Sequence, residues 1–116
     1  MPVDQNALAG ILELDSDQPG LLKQLVELFI DLTPKYIAKM KTGLAENDAK
    51  KIRIEAHTLK SSSASLGAMA IHILCKELQD MGDAGDISQA GEKIALLERE
   101  FEVAQVELKT LAGIKT

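Results

Sequence analysis

Imidazole and thiol groups, the side chains best suited to nucleophilic attack near neutral pH, are few in this sequence: two histidines, His57 and His72, and one cysteine, Cys75. An imidazole in water is largely neutral near pH 7, so one ring nitrogen keeps a lone pair able to attack phosphorus. Lys60, one helical turn beyond His57, can balance charge on a phosphoryl group held there. His72 and Cys75 stand three residues apart, but two ligands do not close a zinc site. A lone cysteine forms neither an intramolecular disulfide nor a four-cysteine centre, so Cys75 reads as a residue packed near the core and His72 as one on the flank. The run Ser61-Ser62-Ser63 lacks a base and an orienting acid and reads as small packing residues. With no Gly-rich nucleotide loop, no triad and no paired metal ligands, an autonomous kinase or hydrolase has little support.

The element that positions His57 is a helix. Asn47 is its expected cap, Asp48 suits its first turn, and Gly67 is placed to end it in a left-handed conformation. Ala49, Ile52, Ala56, Leu59, Ser63 and Leu66 recur at steps of three and four and define its buried stripe. At about 100° per residue, His57 points roughly 120° from the centre of that stripe, with Arg53, Lys60, Ser61 and Ala64 near its own line. The imidazole is thus expected to be reachable by a partner. Ser61 and Ala64 are small enough to let another active site approach, and Ile54, off the core stripe on the same side, is a candidate docking contact.

Other helices must surround this one. Asp4 is expected to cap a short first helix with Ala7, Leu8, Ile11 and Leu12 on one side, ending in Asp15-Ser16-Asp17. A second opens with Asp17 as cap and Pro19 in its first turn, and its apolar stripe is Leu21, Leu25, Leu28 and Leu32. Thr33-Pro34 should kink it or restart it, with continuation through Tyr36, Ile37, Met40 and Leu44. A helix from about Ala68 to Met81 turns Ile71, Leu74, Leu78 and Met81 inward, followed by a loop at Gly82-Asp83-Ala84-Gly85. Met40, Met69 and Met81 read as core filler. Asp86 is the expected cap of a last helix with Ile87, Ala90, Ile94, Leu97, Phe101, Ala104, Leu108 and Leu111 on one face, running to about Gly113. Four substantial amphipathic helices joined by short connections imply an all-α, antiparallel up-and-down four-helix bundle with a short additional N-terminal helix.

Composition agrees and sets bounds. Only 3% of residues are aromatic, so the core must come from Leu, Ile, Ala, Val and Met, a palette that favours helices. The 116 residues form one expected domain, 1–116, with no length for a second substrate or nucleotide domain. A net charge of -5 argues against a nucleic-acid partner. Met1 to Gly10 has no basic stretch followed by an apolar core, and no run of eighteen apolar residues occurs. The expectation is a soluble, cytoplasmic monomer without a membrane partner.

The segment Ala56-His57-Thr58-Leu59-Lys60-Ser61-Ser62-Ser63-Ala64-Ser65-Leu66-Gly67 resembles the signature of histidine-containing phosphotransfer domains. That signature runs His, any residue, Leu, Lys, Gly or a small residue, further small residues, then an apolar residue and Gly. Ser61 stands where the family often has Gly, a mild departure that narrows the approach to the histidine slightly. The resemblance implies that His57 is the phosphorylated histidine, that Lys60 is the lysine one turn on, and that Gln79 hydrogen-bonds and orients the imidazole. It further implies a phosphorelay: His57 takes a phosphoryl group from an aspartyl phosphate on the receiver domain of a hybrid histidine kinase. It then passes the group to an aspartate of a response-regulator receiver. Mg²⁺ belongs to those receivers, and this chain is expected to bind no cofactor or metal and to have no kinase activity of its own. The competing reading is an adaptor that docks through Ile54, Ser61 and Ala64 without taking phosphate.

Overall fold

A computed structural model describes residues 3–114, which form α1 (Ala9–Asp17), α2 (Leu21–Ala45), α3 (Ala49–Ser65), α4 (Met69–Ala84) and α5 (Ala90–Leu111). The second helix packs on α3 and α5, and α4 packs on the same two, which closes a four-helix ring; α1 lies against α2. Short turns between successive helices reverse the chain each time, so neighbours run antiparallel. The all-α bundle with its extra N-terminal helix is therefore as the sequence implied, and no strand occurs among the described residues.

Three of the turns share one local solution. Asn47 at φ 54°, Gly67 at φ 75° and Gly85 at φ 72° adopt the left-handed conformation that ends a helix. At the first, the Asp48 amide donates to the Gly43 carbonyl at 2.7 Å; at the second, the Ala68 amide donates to the Ser63 carbonyl at 2.8 Å. Gly67 is also required by a neighbour. Its carbonyl accepts from the Asp4 amide at 2.7 Å, and a Cβ there would collide with the Asp4 carbonyl oxygen.

The core is Ile52, Ala56 and Leu59 from α3, Ile71, Leu74, Cys75 and Leu78 from α4, and Ile94, Leu97, Phe101, Ala104 and Leu108 from α5, facing α2. Burying each large aliphatic side chain contributes about 1.5–3 kcal/mol. On α2 the inward stripe is Leu22, Val26, Phe29, Thr33, Ile37 and Met40, one residue on from the expected leucines, and Leu28 is 54% exposed. Pro34 does not restart the helix. It sits on the exposed side of an unbroken α2, and the buried Thr33 hydroxyl donates to the Phe29 carbonyl at 2.6 Å instead of capping a new helix.

Several expected helix ends move. The first helix begins at Ala9, and Asp4 accepts instead from the Asn6 amide at 2.9 Å within the preceding turn. Leu8 is buried and Ile11 half-buried, while Ala7 and Leu12 are exposed. Asp15, not Asp17, reaches the start of α2 and accepts from the Leu22 amide at 3.0 Å. Asp48, not Asn47, caps α3 by accepting from the Lys51 amide at 3.1 Å, since Asn47 is occupied as the left-handed terminator of α2. The fourth helix runs three residues past Met81, absorbing Gly82 and Asp83. Asp86 closes a turn on Ser88, and α5 starts later, at Ala90. Met40 is buried as expected, but Met69 and Met81 are only half-buried. No helix of the described residues is long and apolar enough to cross a membrane.

Candidate functional site

The middle of α3 holds the site because its two faces differ in chemistry. Ile52, Ala56, Leu59 and Ser63 are buried, as the periodicity predicted, while His57, Thr58 and Ser61 are exposed. Five hydroxyl groups in or beside this stretch would disfavour a helix if they competed for the backbone from outside it. Here four of them bond back within it: Thr58 to the Ile54 carbonyl at 3.1 Å, Ser63 to Leu59 at 2.8 Å and Ser65 to Ser61 at 3.1 Å. Ser62 likewise donates to Leu59 at 3.2 Å. The serines thus keep the surface beside His57 low.

A polar seam joins α3 to α4. His57 Nδ1 lies 3.4 Å from Gln79 Oε1. With the Gln79 oxygen facing it as an acceptor, the tautomer that satisfies this contact is the one with the proton on Nδ1, which leaves the Nε2 lone pair free. The bond is long, which orients the ring without gripping it. One turn toward the start of α3, Arg53 Nε lies 3.5 Å from Asp83 Oδ1. One turn the other way, His72 Nδ1 lies 3.0 Å from the Lys60 carbonyl, where it donates. The fourth helix can approach this closely because of Gly82, where a Cβ would stand 2.6 Å from Arg53 Cβ and 2.8 Å from the Ala49 carbonyl oxygen.

Lys60 is half-buried on the His57 stripe, and its ammonium group is also felt by Cys75. Burial pushes the Cys75 thiol up to about 12, with Lys60 partly opposing that shift, so Cys75 is an inert core thiol at neutral pH. No group of three or more His, Cys, Asp and Glu side chains that could hold a metal occurs among the described residues. Ile54 is 44% exposed and Ala64 half-buried; with Ser61 they stay on the accessible side of α3. Beside them an apolar groove of about 370 Å³ opens between α2 and α3, lined by Ile11, Leu25, Leu28, Tyr36, Thr58 and Ser62 among others.

The sequence-predicted His57 and Gln79 are therefore brought together, with Arg53 one turn before His57 and the half-buried Lys60 one turn after it. What sequence reasoning missed is Asp83, which it placed in a loop, and the engagement of His72. A signal for Asp83 existed: it lies four residues after Gln79, as Arg53 lies four before His57, and antiparallel helices must then place the two pairs in succession.

Comparisons with known proteins bear on the family and the fold. A family model described as the Hpt domain matches residues 24–107. The phosphorelay intermediate protein YPD1 of Candida albicans is 31% identical over 80 residues, covering 69% of this chain and 44% of that protein. Multistep phosphorelay regulator 1 of Schizosaccharomyces pombe is 29% identical over 99 residues, covering 81% and 34%. The chain thus matches less than half the length of these curated relatives. The crystal structure of histidine-containing phosphotransfer protein B (HptB) from Pseudomonas aeruginosa PAO1 is similar with a TM-score of 0.88 and 26% identity, covering 97% of this chain and 95% of that one.

Proposed function

The chain belongs to the Hpt domain family, and from that premise we propose that it is a phosphorelay intermediate carrying a phosphoryl group on His57. The observation that supports this most is the state of the imidazole: exposed, set among small residues, with Nδ1 turned to Gln79 Oε1 and Nε2 free. The Nε2 lone pair attacks the phosphorus of an aspartyl phosphate on a hybrid kinase's receiver domain. The bond from phosphorus to the carboxylate oxygen breaks, and the aspartate leaves with the electron pair. The Nδ1 proton stays on the ring, its positive charge stabilised by the Gln79 oxygen. The reverse step delivers the group to an aspartate of a response-regulator receiver. Lys60 supplies positive charge near the phosphoryl oxygens, and Arg53, Ile54, Ser61 and Ala64 form the surface on which the receiver docks.

The chain supplies half of the chemistry. Mg²⁺ and the acidic pocket belong to the receiver, the chain binds no cofactor, and it has no kinase activity of its own. It works as a cytoplasmic monomer. The test is incubation with a phosphorylated receiver and its kinase. Acid-labile, base-stable label is expected on His57 and is lost in His57→Gln, whereas binding without label would leave an adaptor. Label taken directly from ATP by the isolated chain would overturn the claim that it lacks kinase activity.

A further inference from the structure

The ion pair on the α3–α4 seam has no part in the chemistry above. Arg53 stands four residues before His57, and Asp83 four after Gln79, so the two cross-helix pairs follow each other along the seam at one-turn spacing. Arg53 meets Asp83 through Nε, at 3.5 Å from Oδ1, and its terminal guanidinium nitrogens make no hydrogen bond among the described residues. Gly82 permits the arrangement: with no Cβ there, the Cα and Cβ of Arg53 approach the α4 backbone closely, and its guanidinium meets the next residue, Asp83.

The pair is weakly held. Its side chains are 36% and 55% exposed, and a single long contact in that setting contributes little. A phosphoryl group on His57 would bring nearly two negative charges and three acceptor oxygens to the neighbouring position on the same stripe. Guanidinium binds such a group through parallel charge-assisted hydrogen bonds, which are stronger than one contact to a lone carboxylate. We infer that Asp83 is a positioning residue for phosphoryl carriage. It holds Arg53 one turn from the imidazole while His57 is free, and it competes with the phosphoryl group for Arg53 once His57 is loaded. Asp83 thereby keeps the loaded state from being bound too tightly to be passed on.

This role rests on His57 being the phospho-acceptor, and the two claims separate in one experiment. The full chain, Asp83→Asn, Arg53→Gln and the double variant are loaded with potassium phosphoramidate, and the phosphoryl ionisation is followed by phosphorus NMR across pH. Freeing Arg53 in Asp83→Asn is expected to stabilise the dianion and lower its ionisation midpoint by about 0.3–0.7 unit, a two- to fivefold change in that equilibrium. In the Arg53→Gln background the same substitution should produce a distinctly smaller shift, and Asp83→Glu should keep the original midpoint. An Asp83→Asn shift that is absent, or equal in both backgrounds, overturns the role of Asp83. A chain that takes no phosphoryl group on His57 overturns the reading beneath it, and the inference with it.

Discussion

Gln79 touches the His57 ring at Nδ1, not at the Nε2 proposed to take the phosphoryl group. Its 3.4 Å contact to His57 Nδ1 is exposed and long, so its contribution lies at the lower end of a hydrogen bond's net worth. Gln79→Ala is expected to slow phosphotransfer from a receiver by about two- to fivefold without abolishing it. The same variant should also shift the tautomer balance of His57, which nitrogen NMR reads directly. A rate unchanged despite a shifted tautomer would mean that ring orientation does not limit transfer. Cys75 makes the opposite kind of prediction, one of stability rather than rate. Its thiol, ordinarily near 9.0, is pushed up to about 12 by burial. Between those values the unfolded chain has released a proton that the folded chain retains, so the folded state binds more protons and stability falls as pH rises. The loss approaches about 1.4 kcal/mol per pH unit within that window and is absent below it. Urea unfolding at pH 8 and 10.5 should show the native chain losing about 2 kcal/mol more than Cys75→Ala over the same interval. Equal losses would show that Cys75 is not buried as described.

Among the helices, α3 and α5 were the most legible, because each buries the stripe its spacing marks: Ile52, Ala56 and Leu59 on the former, and Ile94, Leu97, Phe101, Ala104 and Leu108 on the latter, though Leu111, expected on the same face, is exposed. The second helix offers two. Leu21, Leu25, Leu28 and Leu32 and the adjacent Leu22, Val26, Phe29 and Thr33 both recur at helical spacing, and periodicity cannot choose between them. The core takes the second set, and Leu25, Leu28 and Leu32 line the groove beside α3. Thr33 enters the core because its hydroxyl is satisfied by the Phe29 carbonyl, a bond that its residue type does not announce. The end of α4 was misread for a related reason: Gly82 resembles a loop signal but serves a close approach of helices. Two glycine substitutions should therefore have opposite signs. Gly82→Ala puts a Cβ 2.6 Å from Arg53 Cβ and is expected to cost about 1–3 kcal/mol by forcing α3 and α4 apart. Gly10→Ala, in α1 with nothing within 4 Å of the new Cβ, should stabilise by about 0.5–1 kcal/mol through helix propensity. Chemical denaturation of both variants checks this, and a stabilising Gly82→Ala would contradict the close α3–α4 contact.

Across the whole bundle, the fold and the proposed carriage rely on different faces of one helix. His57 could be read from sequence because its motif is local and its angle to the stripe needs only α3. Gln79 depended also on the register of α4, and Asp83 on the helix continuing past Gly82, so legibility fell with each further element a residue required. The separation of faces has a measurable consequence. Leu59 is fully buried, its neighbours come from the closed core, and truncating it leaves a cavity that the four packed helices cannot easily fill. Leu59→Ala is expected to cost about 2–5 kcal/mol. His57, two residues earlier, is exposed, with one long hydrogen bond to lose, so His57→Gln should change stability by no more than about 0.5 kcal/mol while removing phosphate uptake. Melting curves and phosphoryl labelling of the two variants should therefore dissociate: a destabilised chain that still takes label at low temperature, and a stable chain that does not. If His57→Gln were the more damaging to the fold, the orientation of α3 that exposes the imidazole would be wrong, and so would the docking surface built around it.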